Sequence, residues 1–198
     1  MDKNKEEVPK FLVFILCICV VLIIFIAIGF GVFINRKEEV IEKEESGANI
    51  VLNYSTDING LEIKSAIPTS DAAGVKKVDD GEYFDFSIEV KLDNAPSVEY
   101  EISAIKDKVK STIPDDDIRI YLEKEKSGTY TKVFGPAKYT PLKKPTKFGS
   151  EVGSMVLVDT KKTNSSTDNY RLRMWLSDKS LVKDGTYSLE IVVNGLAK

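Results

Sequence analysis

From Tyr83 to Leu92 the chain alternates strictly: Phe84, Phe86, Ile88, Val90 and Leu92 are apolar, and Asp85, Ser87, Glu89 and Lys91 between them are polar. Successive side chains of an extended strand point to opposite faces, so a period of two predicts a strand with one buried face and one wet face. The same rhythm returns in Val98, Tyr100, Ile102 and Ala104, in Ile118, Ile120 and Leu122, in Tyr170, Leu172, Met174 and Leu176, and in Tyr187, Leu189, Ile191 and Val193. Shorter strands are expected at Ile50–Thr56, Leu61–Ile67, Thr129–Phe134 and Val152–Val158. Turn formers separate them: Asn59-Gly60, Asp79-Asp80-Gly81, Asn94-Ala95-Pro96, Pro114-Asp115 and Asp184-Gly185. About nine strands at this spacing, with no sustained helical period, predict an all-β domain, an antiparallel β-sandwich of Ig-like or jelly-roll order. Asn59-Gly60, lying between two apolar runs, is the strongest hairpin signal.

A different rule governs the N-terminus. Phe11 to Ile34 contains no charged residue, and as a helix rising ~1.5 Å per residue it would span roughly 36 Å, enough for a ~30 Å hydrocarbon core. Small residues at Ala27, Gly29 and Gly31 offer places for signal-peptide cleavage, but Val32, Phe33 and Ile34 carry the apolar run past them. The expected plan is a short tail at 1–10, a single transmembrane helix (a signal-anchor) at 11–34, a charged spacer at 35–48 and a β-sandwich ectodomain at 49–198. Glu38, Glu39, Glu42, Lys43, Glu44 and Glu45 are good helix formers, so the membrane helix is expected to continue into the spacer until Ser46-Gly47. Lysines and arginines flank the apolar run almost evenly. The large C-terminal domain therefore decides orientation, and it is expected outside, with the protein single-pass in a cell membrane. Both cysteines, Cys17 and Cys19, lie inside the apolar run, so the β-domain has no disulfide; this and the balance of Lys, Asp, Glu, Ile and Asn lean toward a bacterial surface.

Missing residues limit catalysis. The chain has no histidine, which removes Ser-His-Asp triads, Cys-His pairs and histidine metal sites. Without a cysteine the β-domain also lacks thiol chemistry and cysteine-bound zinc. Ser180-Leu181-Val182-Lys183 spells S-x-x-K, but the partner motifs of penicillin-binding enzymes are absent from the sequence. No cofactor is expected and the chain reads as a non-enzyme. Calcium is the one metal with any oxygen clusters to suit it, at Asp57-Ile58-Asn59-Gly60-Leu61-Glu62 and at Asp115-Asp116-Asp117, yet Pro68 stands where an EF-hand loop from Asp57 needs its closing glutamate.

Binding is therefore the expected activity, at two places. On the strand 169–176 the outward set is Arg171, Arg173 and the lone tryptophan, Trp175, and Tyr121 and Val192 fall on the outward side of their own strands. Arginine and aromatic side chains sharing a face have the composition of interface hot spots. The competing reading is a loop packed over that face. The second place is the connection Gly135–Ser150, where Lys138, Lys143, Lys144 and Lys147 interleave with Tyr139 and Phe148 in a form that suits an anionic envelope polymer. Nucleic acid is not an expected partner of a chain with net charge −3 and pI ≈ 5.3. The connection Thr160–Asp168 is polar and expected to be mobile. In layout the chain resembles anchored β-sandwich surface proteins of Gram-positive-type bacteria, including fibre-forming matrix subunits. The first expectation is a membrane-tethered module for a protein partner or envelope polymer. The alternative is a self-assembling structural subunit that exchanges the strand Ile50–Thr56 with another copy.

Overall fold

The computed structural model describes residues 37–41, 47–56, 59–76 and 83–198. The expected membrane helix at 11–34 and the candidate calcium ligand Asp57 lie outside the described residues. Among the described residues, no helix is long and apolar enough to cross a membrane. The chain divides into two compact units, Met1–Lys37 and Glu38–Lys198, and the second carries the β-structure.

That second unit is nearly all antiparallel β in two sheets, consistent with a β-sandwich. Strands β1 (Lys37–Ile41), β2 (Ala48–Tyr54), β4 (Tyr83–Leu92), β6 (Ile118–Lys126), β7 (Thr129–Ala137) and β9 (Ser166–Leu176) make a six-stranded sheet in the order β1-β2-β4-β9-β6-β7. Strands β3 (Gly60–Lys64), β5 (Val98–Lys106), β8 (Ser154–Lys162) and β10 (Thr186–Ala197) make a four-stranded sheet in the order β3-β10-β5-β8. The inward sets predicted from alternation meet between the sheets. Leu52, Ile88, Ile120 and Leu172 of the large sheet are fully buried, as are Tyr100, Ile102, Leu189 and Ile191 of the small one, all in one cluster. Phe84, Phe86 and Tyr170 stack in sequence at 5.4 Å between centroids, an arrangement that adds to simple area burial.

The connections depart from the sequence expectation. Asn59-Gly60 does not close a hairpin, because β2 and β3 belong to different sheets. Asn59 instead docks against the backbone of Ile191, giving its amide to the carbonyl at 2.6 Å and receiving the peptide N–H at 2.8 Å. A Cβ on Gly60 would overlap the Leu189 carbonyl, so the glycine is there for close approach. The tight hairpin lies at Ser127-Gly128, between β6 and β7. Both residues have positive φ (52° and 78°), as a type I′ turn requires. Thr160–Asp168 is not a long polar loop either: β8 runs to Lys162 and β9 starts at Ser166, leaving three residues to cross between sheets. Ser165 Oγ fixes that crossing by accepting from Leu92 N at 2.9 Å. Lys37–Ile41, expected to prolong a helix, is strand β1 at the edge of the large sheet.

Candidate functional site

Strand β9 lies between β4 and β6, so its outward side chains meet the outward side chains of both neighbours. Cross-strand register sets Arg173 beside Tyr121 and Tyr83, and Arg171 beside Glu123 and Asp85. The four residues expected to share a face therefore do so: Tyr121, Arg171, Arg173 and Trp175 lie along one outer face of the large sheet. Val192 does not join them, since β10 belongs to the other sheet.

The exposure expected for this face is corrected by the structure. Trp175 is 2% exposed, Arg173 5% and Tyr121 8%, although neither Trp175 nor Tyr121 belongs to the core between the sheets. The cover is made by residues 69–74, in the connection that follows β3. Thr69 bridges to Ser177 in parallel and its N–H bonds the Leu176 carbonyl at 2.9 Å. The one-turn helix α1 (Asp71–Gly74), capped by Ser70, then lays Gly74 flat on the indole, where a Cβ would overlap the ring. Tyr121 packs against the indole as well, at 6.4 Å between ring centroids and tilted by 58°. An outward register thus produced a second, smaller buried cluster rather than a free patch.

Further along β9 the arginines are spent on internal partners. Arg171 makes a two-pronged pair with Asp85, Nε and Nη2 each at 2.7 Å. It is also sandwiched between the Tyr83 and Tyr130 rings at 4.3 and 4.4 Å. The hydrogen bonds to Asp85 hold its pKa above the ordinary arginine value against the opposing effect of burial. Arg173 Nε bonds Glu123 at 2.9 Å, both groups being buried. Arg173 Nη1 and Trp175 Nε1 have no partner among the described residues.

The lysine loop lies over the other sheet. Residues 138–153 leave β7, cross the outer face of β5 and enter β8. Tyr139 anchors the start, its hydroxyl accepting from Lys106 N and donating to the Gly153 carbonyl. Glu101, a buried carboxylate of β5, anchors the middle by accepting from the Thr146 hydroxyl and from Ser150 N. Ser150 Oγ is shared with Ser103 at 2.6 Å and Asn194 at 3.1 Å. Lys138 is engaged by Asp116 at 2.6 Å, and Lys147 approaches Glu99 at 3.8 Å. Lys143 and Lys144 are exposed and have no ion-pair partner among the described residues. Lys198 and Lys161 join Lys147 around Glu99, and the Lys198 hydrogen bond in particular holds the Glu99 carboxyl below its ordinary pKa.

Two further polar clusters, one at each end of the sandwich, were not foreseen from the sequence. At one end Asp168 receives Lys124 at 2.7 Å, Lys162 at 2.6 Å and the Tyr100 hydroxyl at 3.3 Å. Burial pushes the Asp168 carboxyl up, but the two lysines more than offset this and its pKa lies below the ordinary value. Burial raises both neighbouring tyrosines, Tyr170 to about 12. At the other end Asp115 accepts from Lys106 at 2.6 Å and from Tyr187 at 2.9 Å. Asp115–Asp117, the other candidate calcium cluster, forms a single 3-10 turn. No group of three or more metal-ligating carboxylates comes together among the described residues.

No family model and no curated protein matches the chain. Among solved structures, AvmM, described as catalysing macrocyclization in alchivemycin A biosynthesis, aligns over 73% of this chain and 92% of its own. The identity is 10% and the TM-score 0.28, a similarity too low to argue from.

Proposed function

We propose that the chain is a non-catalytic surface protein, anchored through residues 11–34 with its C-terminal domain outside, whose β-sandwich binds an anionic envelope polymer through the 138–153 loop. The observation that carries this reading is the state of Lys143 and Lys144. Their loop is pinned to the small sheet by Glu101, Ser103 and Asn194, while these two ammonium groups remain exposed and unpaired among the described residues. A rigid backbone presenting free cations suits a polyanion, because little ordering is lost on binding. The Arg171–Trp175 face gives less support, since its charges are already matched and its tryptophan is covered.

The strand order favours jelly-roll over Ig-like topology. The pairs β6–β7, β5–β8, β4–β9 and β3–β10 enclose one another in sequence, the nesting of a rolled-up antiparallel ribbon.

The test uses full-length protein in phosphatidylcholine nanodiscs and poly(glycerol phosphate) as probe. Binding that falls with salt, and falls at least tenfold in the K143E/K144E double variant with unchanged melting, is the expected result. No binding, or binding indifferent to both changes, overturns the reading. The anchor is tested separately, by retention of the protein in membranes through alkaline carbonate washing.

The self-assembling alternative takes a changed form. Ile50–Thr56 is not a free donor, because β2 lies between β1 and β4 and buries Ile50 and Leu52 in the core. β1, at the sheet edge, is the segment that exchange between copies would use.

A further inference from the structure

Three loops from different parts of the chain meet at one end of the sandwich: 65–70 after β3, 107–113 after β5, and 177–185 before β10. Backbone hydrogen bonds tie them together. Ser65 N bonds the Gly185 carbonyl at 2.9 Å, Thr112 N the Thr186 carbonyl at 2.8 Å, and Thr69 N the Leu176 carbonyl at 2.9 Å. This end lies away from the one where β2 begins at Ala48 and β10 finishes beside Val98.

Each loop carries one aliphatic side chain in water. Val109 is 94% exposed, Leu181 93% and Ile67 79%, the three most exposed large hydrophobics among the described residues. Single exposed aliphatics are ordinary on a protein surface, but three from separate loops at one end are not a scatter. Lysines bracket two of the tips: Lys108 and Lys110 around Val109, Lys179 and Lys183 around Leu181. Asp107 and Asp184 on the same loops are engaged within the rim. Asp107 accepts from Val109 N, Lys110 N and Lys110 Nζ, and Asp184 from Ser65 Oγ and Gly185 N. Asp178 and Asp184 are exposed, as are Lys108, Lys179 and Lys183, and these three lysines have no ion-pair partner among the described residues.

We infer that this end of the sandwich docks on an anionic lipid surface, with Ile67, Val109 and Leu181 entering the headgroup–acyl boundary and the bracketing lysines meeting lipid phosphates. Separate aliphatic tips on a common rim fit a plane that deforms around them. A protein hot spot is built instead from contiguous aromatic and arginine side chains, and none of the three tips is aromatic. Lysine stems also let an ammonium reach phosphate while the neighbouring aliphatic group goes deeper, and cations near an anionic leaflet gain from its surface potential. The inference does not rest on the polymer reading, which uses a different loop.

Full-length protein in phosphatidylcholine nanodiscs, mixed with vesicles of 7:3 phosphatidylcholine and phosphatidylglycerol, supplies the test by flotation. The vesicles are expected to capture the discs, with capture reduced at high salt. The I67D/V109D/L181D variant is expected to lose most of it, at least tenfold, with an unchanged melting curve because the side chains replaced touch solvent. K143E/K144E is expected to retain capture, so failure of the polymer reading leaves this result standing. Absent capture, or capture equal in the triple aspartate variant, overturns the inference.

Discussion

The outer face of β9 and the loop end of the sandwich show opposite relations between sequence and exposure. On β9 the residues are those of a binding hot spot, and the fold closes them off: Trp175 lies under Gly74 and beside Tyr121, and Arg171 is bound between two tyrosines and an aspartate. At the loop end the residues are plain aliphatics and lysines, and the fold leaves them open. The difference lies in what each element must satisfy. An outward strand residue is exposed only if nothing crosses the sheet, and here residues 69–74 do. Loop tips have no such cover, because the same short connections that hold them together leave their ends in solvent. Composition alone therefore does not give exposure, and the closed face reads as a source of stability.

The largest effect that separates the two regions is at Trp175. Trp175→Ala removes the indole from a closed cluster and is expected to cost about 3–5 kcal/mol, as for a core aromatic. Urea unfolding measures it directly. A loss under about 1 kcal/mol, of the size typical for surface positions, would mean that residues 69–74 do not seal the face.

Next is Asp168, the hub at the end of the core opposite the loops. Removing its charge leaves Lys124 and Lys162 facing each other without their shared partner, and Asp168→Asn is expected to cost roughly 3 kcal/mol at neutral pH. Its carboxyl is held below the ordinary pKa in the folded state. The stabilisation is therefore complete above the unfolded value of about 3.9 and is lost as pH falls through the lower folded value. Denaturation below about pH 4 should show this limb in the native chain and lack it in Asp168→Asn. Equal acid limbs would remove Asp168 from the account of stability.

The smallest effect belongs to the open surface. Lys143→Glu with Lys144→Glu should leave stability within about 0.5 kcal/mol, since both side chains are exposed and unpaired among the described residues. A larger loss would show that the lysines take part in holding the loop down.

Much of the fold was legible because it is written in local alternation. The strands at Tyr83–Leu92, Val98–Lys106 and Ile118–Lys126 have their inward sets where the period of two puts them. Connections were less legible, because a turn signal gives the bend and not the sheet that the next strand joins. Asn59-Gly60 bends the chain as expected, yet the partner that fixes it is Ile191, far along the sequence. The same holds for the polar clusters. Asp168 finds Lys124 from β6, Lys162 from β8 and Tyr100 from β5, and no spacing in the sequence announces that meeting. Lys143 and Lys144 were legible as an exposed pair because prolines at 141 and 145 keep that segment out of a central strand. Trp175 is legible as an outward residue, but the choice between a free patch and a face under a loop is not, since the cover over it depends on where residues 66–76 travel after β3; the structure has the covered face.

Because the chain has one tryptophan, its fluorescence reports on the closed face alone. The structure predicts blue-shifted emission from the folded chain, resistant to iodide, with a red shift and full quenching appearing together on unfolding. Red-shifted, readily quenched emission from the folded protein would put Trp175 in water and contradict the closure of the face.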